Sequence, residues 1–383
     1  MLLFDEFERV DTDPMHETET DYHYLNRSAR AISVRVREEL EEWFSRYPPE
    51  EQAELRSRFE FDDDRSAFFE LAVHELLQRL GLKVDIHEAP GEATGRRPDF
   101  TVHSPKCQSF YLEAVLATGE SEEDVAARTR ENCVYELLNE MESPDFFLTL
   151  HVREATQQQP SARRMRQAIG QWLDGLHPDE VIAHGPPPGL TYCRDGWVVE
   201  FHAIPKLPQF RGQAGVRPIG VRIGGLAKLG CEDAIRTAVK RKSSRYGKLD
   251  RPYVIAVNAL SEDVTKEEIV AALVGSPKAQ IVQNADGELV VEPTGRAANG
   301  AWTGGESPTG TRVSAVLVAI QASPWNVGRV RAKLYHNPNA QRPYECELTR
   351  LPQARFVGDE AECLEGESLG EVLGLAEAWP AEG

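Results

Sequence analysis

What the sequence lacks narrows it first. No apolar run approaches the roughly eighteen residues needed to span a bilayer, so a membrane-spanning chain is not expected. The opening MLLFDEFERVDTD has neither the basic start nor the apolar core of a secretory signal. The six cysteines (Cys107, Cys133, Cys193, Cys231, Cys346 and Cys363) form no CxxC pair and no metal-ligand spacing, which argues for reduced thiols in a cytoplasmic protein. Glycine groupings such as IGVRIGG lack the spacing that cradles nucleotide phosphates. His74-Glu75 lacks the second histidine of a HExxH zinc helix. After Arg355 there is no basic residue, while eight acidic ones follow. No internal repeat is present.

What is there reads as globular. With 383 residues, 41% hydrophobic and 27% charged, the chain has material for one large domain or two to three ordinary ones. A net charge of −19 disfavours general attraction to phosphates, but the charge is uneven. Residues 206–251 hold twelve Lys or Arg against three Asp or Glu. Such a segment is either a local electrostatic footprint for a polyanion or a solvated basic face.

Periodicity organises the chain. Residues 1–22 are polar and acidic and are expected to fray. Ile32, Val36, Leu40 and Phe44 recur every four residues, predicting a helix from Leu25 to Tyr47 that Pro48-Pro49 ends. A second helix is expected after Asp62-Asp63-Asp64, with Gly81 closing it. Alternating KVDIH, PDFTVH and FYLEAVLA predict three strands joined by the turns GEATG and SPKCQ. SEEDVAARTRENCVYELLNEM then reads as a crossover helix to a fourth strand, FFLTLHV. Further on, SARRMRQAIGQWLDGL and CEDAIRTAVKRKSSRYG read as helices, WVVEFHAI, YVIAV, RVSAVLVAI and VRAKLY as strands, and residues 284–311 as an exposed hairpin or loop. The expected division is an acidic N-terminal segment and helix (1–59), a core (60–155), a basic extension packing on it (156–260), a C-terminal α/β region (261–355) and an acidic tail (356–383).

Three carboxylates stand out within the core. Glu70 lies on the second helix, Asp99 follows Pro98 where the second strand opens, and Glu113 lies on the third strand. Residues i and i+2 of a strand share a face, so Glu113 points with Val115, and Asp99 joins them if the hairpin register allows. Carboxylates aimed into one cleft suit Mg²⁺ or Mn²⁺, with the Ala114 carbonyl as a further ligand. Helix–β–β–β–helix–β, with a helical Glu, a Pro-Asp and a strand Glu, resembles the PD-(D/E)xK or restriction-endonuclease-like superfamily over residues 60–155. The resemblance implies an α/β (α+β) mixed sheet and a metal-dependent phosphodiesterase. Its site would have Glu70, Asp99 and Glu113 as metal ligands, with Asp99 and Glu113 catalytic.

The family's lysine would stand at Val115, and valine can neither orient a nucleophile nor offset developing charge. Lys83, Lys240 and Lys242 are candidates to supply the cation from elsewhere, and Lys242 is preferred because its basic segment also suits substrate. Arg163, Arg164, Arg166, Lys240, Arg241 and Arg245 are candidate phosphate contacts, which give affinity without sequence information. The expected partner is nucleic acid, DNA ahead of RNA, in restriction, repair or antiphage defence, with a homodimer or a protein partner as a further expectation. The alternative is an inactive descendant that binds nucleic acid or a protein. His74 reads as a structural histidine, His87 and His103 as strand-end surface residues, and YHNPNA as a turn.

Overall fold

Helical structure begins at Asp21–Arg27 (α1), where the Thr20 side chain accepts from the amide of His23, and resumes at Ala31–Arg46 (α2). The single helix expected from Leu25 is therefore broken. Arg30 is extended, and Arg37 donates to the carbonyls of Leu25 and Ser28, replacing the partners a continuing helix would have supplied. Val36, Leu40 and Phe44 are buried as their spacing requires, whereas Ile32 is 41% exposed. The structure is a computed structural model that describes every residue except 17, 88–96, 119–129, 131, 139–140, 157–158, 186–188, 213–229, 248, 262–263, 284–288, 305–306, 359 and 382–383.

Gln52–Ser57 (α3) and a wide turn, Arg58–Asp62, lead to Asp64–Arg79 (α4). Asp63 caps α4 by accepting from the Ser66 amide, and Gly81 ends it with a φ of 77°. Lys83–Ile86 (β1), Phe100–His103 (β2) and Phe110–Ala117 (β3) then form the expected antiparallel meander. Its GEATG turn lies outside the described residues.

The fourth strand differs from expectation. FFLTLHV does form a strand, Phe146–Glu154 (β4), but it belongs to a separate three-stranded sheet in the order β4-β6-β5, with Leu190–Arg194 (β5) and Trp197–Pro205 (β6). Of the helix expected to cross over, residues 121–129 lie outside the described residues and 132–138 are helical. The strand that follows β3 in its own sheet is Tyr253–Ala259 (β7), parallel to β3 and preceded by a later helix. Burial explains the choice. All seven residues of β7 are buried, as a central parallel strand covered on both faces requires, whereas β4 ends in exposed Arg153 and Glu154.

The chain accordingly divides at places other than those expected. One unit comprises residues 1–13, 20–119 and 229–383, and the second comprises 14–19 and 120–228. The basic extension expected over 156–260 is split between them. In the second unit Ala162–Leu173 (α5) buries Met165 and Ile169 among Leu148, Trp197 and Phe201 of the small sheet, and Pro178–His184 (α6) follows.

In the first unit, Cys231–Ser243 (α7) precedes β7, and Lys266–Val274 (α8) follows it behind a Thr265–Glu268 capping box. Pro277–Gln283 (β8) and Leu289–Arg296 (β9) make a hairpin whose first strand lies before the stretch 284–311 expected to be an exposed hairpin or loop, and Trp302 within that stretch is fully buried. Ala315–Ile320 (β10), Ala332–His336 (β11), Gln353–Val357 (β12) and Glu360–Leu364 (β13) complete an eight-stranded mixed sheet, β1-β2-β3-β7-β10-β11-β12-β13, before Leu369–Leu373 (α9). Strand alternation assigns its two faces. Phe100, Leu112, Val254 and Leu317 pack with α2 and α4, while Tyr111, Val115, Ile255 and Val316 pack with α7 and α8.

The N-terminal end corrects the expectation that residues 1–22 fray. Leu3 and Phe4 are buried, and their amides donate to the Glu41 carboxylate. At the other end Leu369, Leu373 and Trp379 enter the same core. Among the described residues no helix is long and apolar enough to cross a membrane.

Candidate active site

The β2–β3 register builds the site. Phe100 pairs with Leu112, so Asp99, one residue before β2, stands opposite Glu113. Opposed residues of an antiparallel pair share a face, here the one that Tyr111 and Val115 turn toward α7. Asp99 is half-buried and its Oδ2 accepts from the Ala114 amide at 2.8 Å. Glu113 is wholly buried.

An isolated carboxylate so placed would be costly, and α7 answers it. Lys242, in the last turn of α7 and itself buried, hydrogen-bonds Glu113 Oε1 through Nζ. Arg245 Nη1 approaches the same oxygen at 3.2 Å, and Tyr246 donates its hydroxyl to Oε2. That hydroxyl also lies 2.9 Å from the Arg97 carbonyl, so its single proton can serve only one of the two acceptors at a time. Val115, two residues along the same face, is 5% exposed and packs in the apolar cluster that holds Ile235 and Val239. The strand position thus carries an apolar contact, and the cation arrives from the helix above it.

Tyr246 was not singled out from sequence. Its signal was its place four residues after Lys242 in KSSRY, visible only once Lys242 had been tied to Glu113. Lys240 and Arg241 are exposed, and Lys240 Nζ lies 3.4 Å from the Asn299 carbonyl. Lys83 pairs instead with Asp85 at 3.6 Å. Arg163, Arg164 and Arg166 belong to α5 of the second unit, where Arg164 lies 3.7 Å from Asp195.

Glu70 occupies a different setting. It is buried on α4, with Oε1 accepting from the Tyr47 hydroxyl at 2.7 Å and Oε2 from Arg58 at 2.6 Å. Its charge still reaches Asp99. Burial, then the Glu113 and Glu70 carboxylates, push the Asp99 pKa up to about 8 against the opposing pull of Lys242. His74, one turn along from Glu70, is buried against Tyr47 and Phe100 with no hydrogen-bond partner for either ring nitrogen, and burial lowers its pKa to about 4. His103 pairs with Asp85 at 2.7 Å, and the His87 amide donates to the Asp99 carbonyl at 3.1 Å.

Among the described residues, ligand-type atoms gather within 4.8 Å in two groups, Glu51–Glu54–His87 and Cys107–Cys346–Glu347. Glu70, Asp99 and Glu113 do not form such a group. Asp99 and Glu113 form a facing pair, whereas Glu70 is held by Tyr47 and Arg58. Compared with protein-family models, curated proteins and solved structures, the chain matches none, and the site rests on its own geometry.

Proposed function

We propose that Asp99, Glu113 and Lys242 form the centre of a metal-dependent phosphodiesterase acting on DNA or RNA. The observation that carries the reading is Lys242 on Glu113: a buried lysine, far along the chain, meets the strand carboxylate that faces Asp99. The order α4, β1, β2, β3, α7, β7, with β7 parallel to β3, supports a restriction-endonuclease-like core into which residues 120–228 are inserted.

The facing carboxylates fit a hard divalent ion by their chemistry, two oxygen donors on one face of the β2–β3 pair. The Asp99 pKa is raised first by burial and then by the Glu113 and Glu70 charges. Asp99 and Glu113 would hold Mg²⁺ or Mn²⁺, with Glu70 acting through its field. Bound there, the ion would polarise a phosphoryl oxygen and lower the pKa of a water. Asp99 would hold the ion as the carboxylate, its proton passing to solvent. Lys242 Nζ, beside Glu113 Oε1, would orient the attacking water and offset charge on the phosphoryl oxygens. Tyr246 holds Glu113 Oε2, and the Arg245 side chain, 42% exposed while its Nη1 lies on Glu113, would contact a phosphate.

The test is a cleavage time course with Mg²⁺ or Mn²⁺ on single- and double-stranded DNA and RNA, comparing wild type with Asp99→Asn and Lys242→Met. Metal-dependent cutting by wild type, reduced about a hundredfold or more in both variants, is the expected result. Equal cutting by all three would sink the assignment. One observation favours a second reading, a nucleic-acid-binding module without catalysis: Lys242, Arg245 and Tyr246 already satisfy Glu113 without a metal. No cleavage, with nucleic-acid binding unchanged in Asp99→Asn, would favour it.

A further inference from the structure

A second cluster lies away from these residues. Cys107 sits in the turn between β2 and β3, and Cys346 and Glu347 begin the short turn Glu347–Arg350 that precedes β12. Their two sulfurs and a carboxylate oxygen lie within 4.8 Å of one another. The two segments face each other reciprocally, Cys107 Sγ lying 3.7 Å from the Glu345 carbonyl and Cys346 Sγ 3.7 Å from that of Gln108. Glu347 Oε1 accepts from Ser104 at 2.6 Å, but Oε2 is buried with no hydrogen-bond partner. A carboxylate oxygen withdrawn from water without a donor is destabilising, and none of the described Lys, Arg or His residues pairs with it.

We propose that Cys107, Cys346 and Glu347 bind a zinc ion, with water as the fourth ligand. Two sulfurs and one carboxylate are a borderline-soft donor set that selects Zn²⁺ over Mg²⁺ or Mn²⁺. Zn–S bonds of about 2.3 Å at tetrahedral angles set two sulfurs roughly 3.8 Å apart, so atoms lying within 4.8 Å of one another need contract by about 1 Å at most. Glu347 Oε2 gains the positive partner it lacks. On binding, two S–H bonds break, two Zn–S bonds form, and two protons pass to solvent. The ion would clamp the β2–β3 turn to the segment before β12, bracing the strands next to Asp99 and Glu113. The cysteines lie too far apart in sequence for any ligand spacing to reveal the site.

The 383-residue chain is loaded with one equivalent of Zn²⁺ and desalted, and zinc per chain is measured for wild type, Cys107→Ser, Glu347→Gln and Asp99→Asn. Cys107 is exposed and its replacement should not disturb folding. About one zinc per chain is expected in wild type and Asp99→Asn, with affinity about tenfold or more weaker in the other two. Zinc should also shield Cys107 from alkylation while the exposed Cys193 and Cys363 react as before. Equal zinc in wild type and Cys107→Ser would overturn the site. So would failure of wild type to retain zinc with Cys107 and Cys346 recovered as a linked peptide lighter by two hydrogens.

Discussion

At Glu113 the folded chain keeps a carboxylate fully out of water, and three donors make that tolerable. The neighbouring Val115 has the opposite requirement. Val115→Lys would place a second ammonium in an apolar cluster beside a carboxylate whose partners are already present. It should lower stability by about 2 kcal/mol or more without raising cleavage, read from urea unfolding and the same nuclease assay. Asp99 gives a pH dependence of defined sign. Its folded pKa, near 8, lies above its ordinary value, so the native state holds this proton more tightly than the unfolded chain. The contribution of Asp99 is therefore fully present below about pH 4 and is lost as pH rises toward 8. Between pH 5 and 8.5, as rough bounds for the experiment, the wild-type urea midpoint should fall relative to that of Asp99→Asn, and Mn²⁺ should restore more stability at the upper pH. Parallel midpoints in the two proteins would remove Asp99 as the source.

Among elements, α9 (Leu369–Leu373) docks by its buried Leu369 and Leu373 and also by a close backbone approach to the short turn Val327–Arg329. A Cβ on Gly370 would meet the Gly328 carbonyl oxygen at 2.1 Å, so helix and turn touch backbone to backbone. Gly370→Ala should cost about 1–3 kcal/mol by lifting α9 from its seat, seen as a lower Tm and faster hydrogen exchange over 369–373. An unchanged Tm would mean the contact yields cheaply. The helix that supplies the cation shows how far the sequence could be read at this scale. CEDAIRTAVKRKS was legible as a helix and its lysines as candidates, because propensity and apolar spacing are local. That its last turn would sit over β3 was not, since the choice between β4 and β7 as the neighbour depends on which strand is buried along its whole length.

For the whole molecule, the two units have separate cores, one gathered around the eight-stranded sheet and one around Met165, Trp197 and Phe201. Unfolding should therefore depart from two-state behaviour. Met165→Ala, which empties a fully buried position, should lower one calorimetric transition by about 2–5 kcal/mol and leave the other in place. A single transition moving as a whole would show the two cores to be coupled.

The sequence by itself determined the local pieces: the capped α4, the three-stranded meander, the facing possibility of Asp99 and Glu113, and Lys242 as the basic-segment residue worth watching. These follow from side-chain period, capping chemistry and charge, which act over a few residues. Tertiary structure alone decided that 120–228 form a separate unit, that Glu70 is engaged by Tyr47 and Arg58, and that both acidic ends are anchored by buried apolar side chains. It also decided that Lys242 reaches Glu113 and that Cys107 meets Cys346. Each of these depends on which distant segments exclude water together, and burial of that kind is a property of the assembled sheet rather than of any stretch of chain.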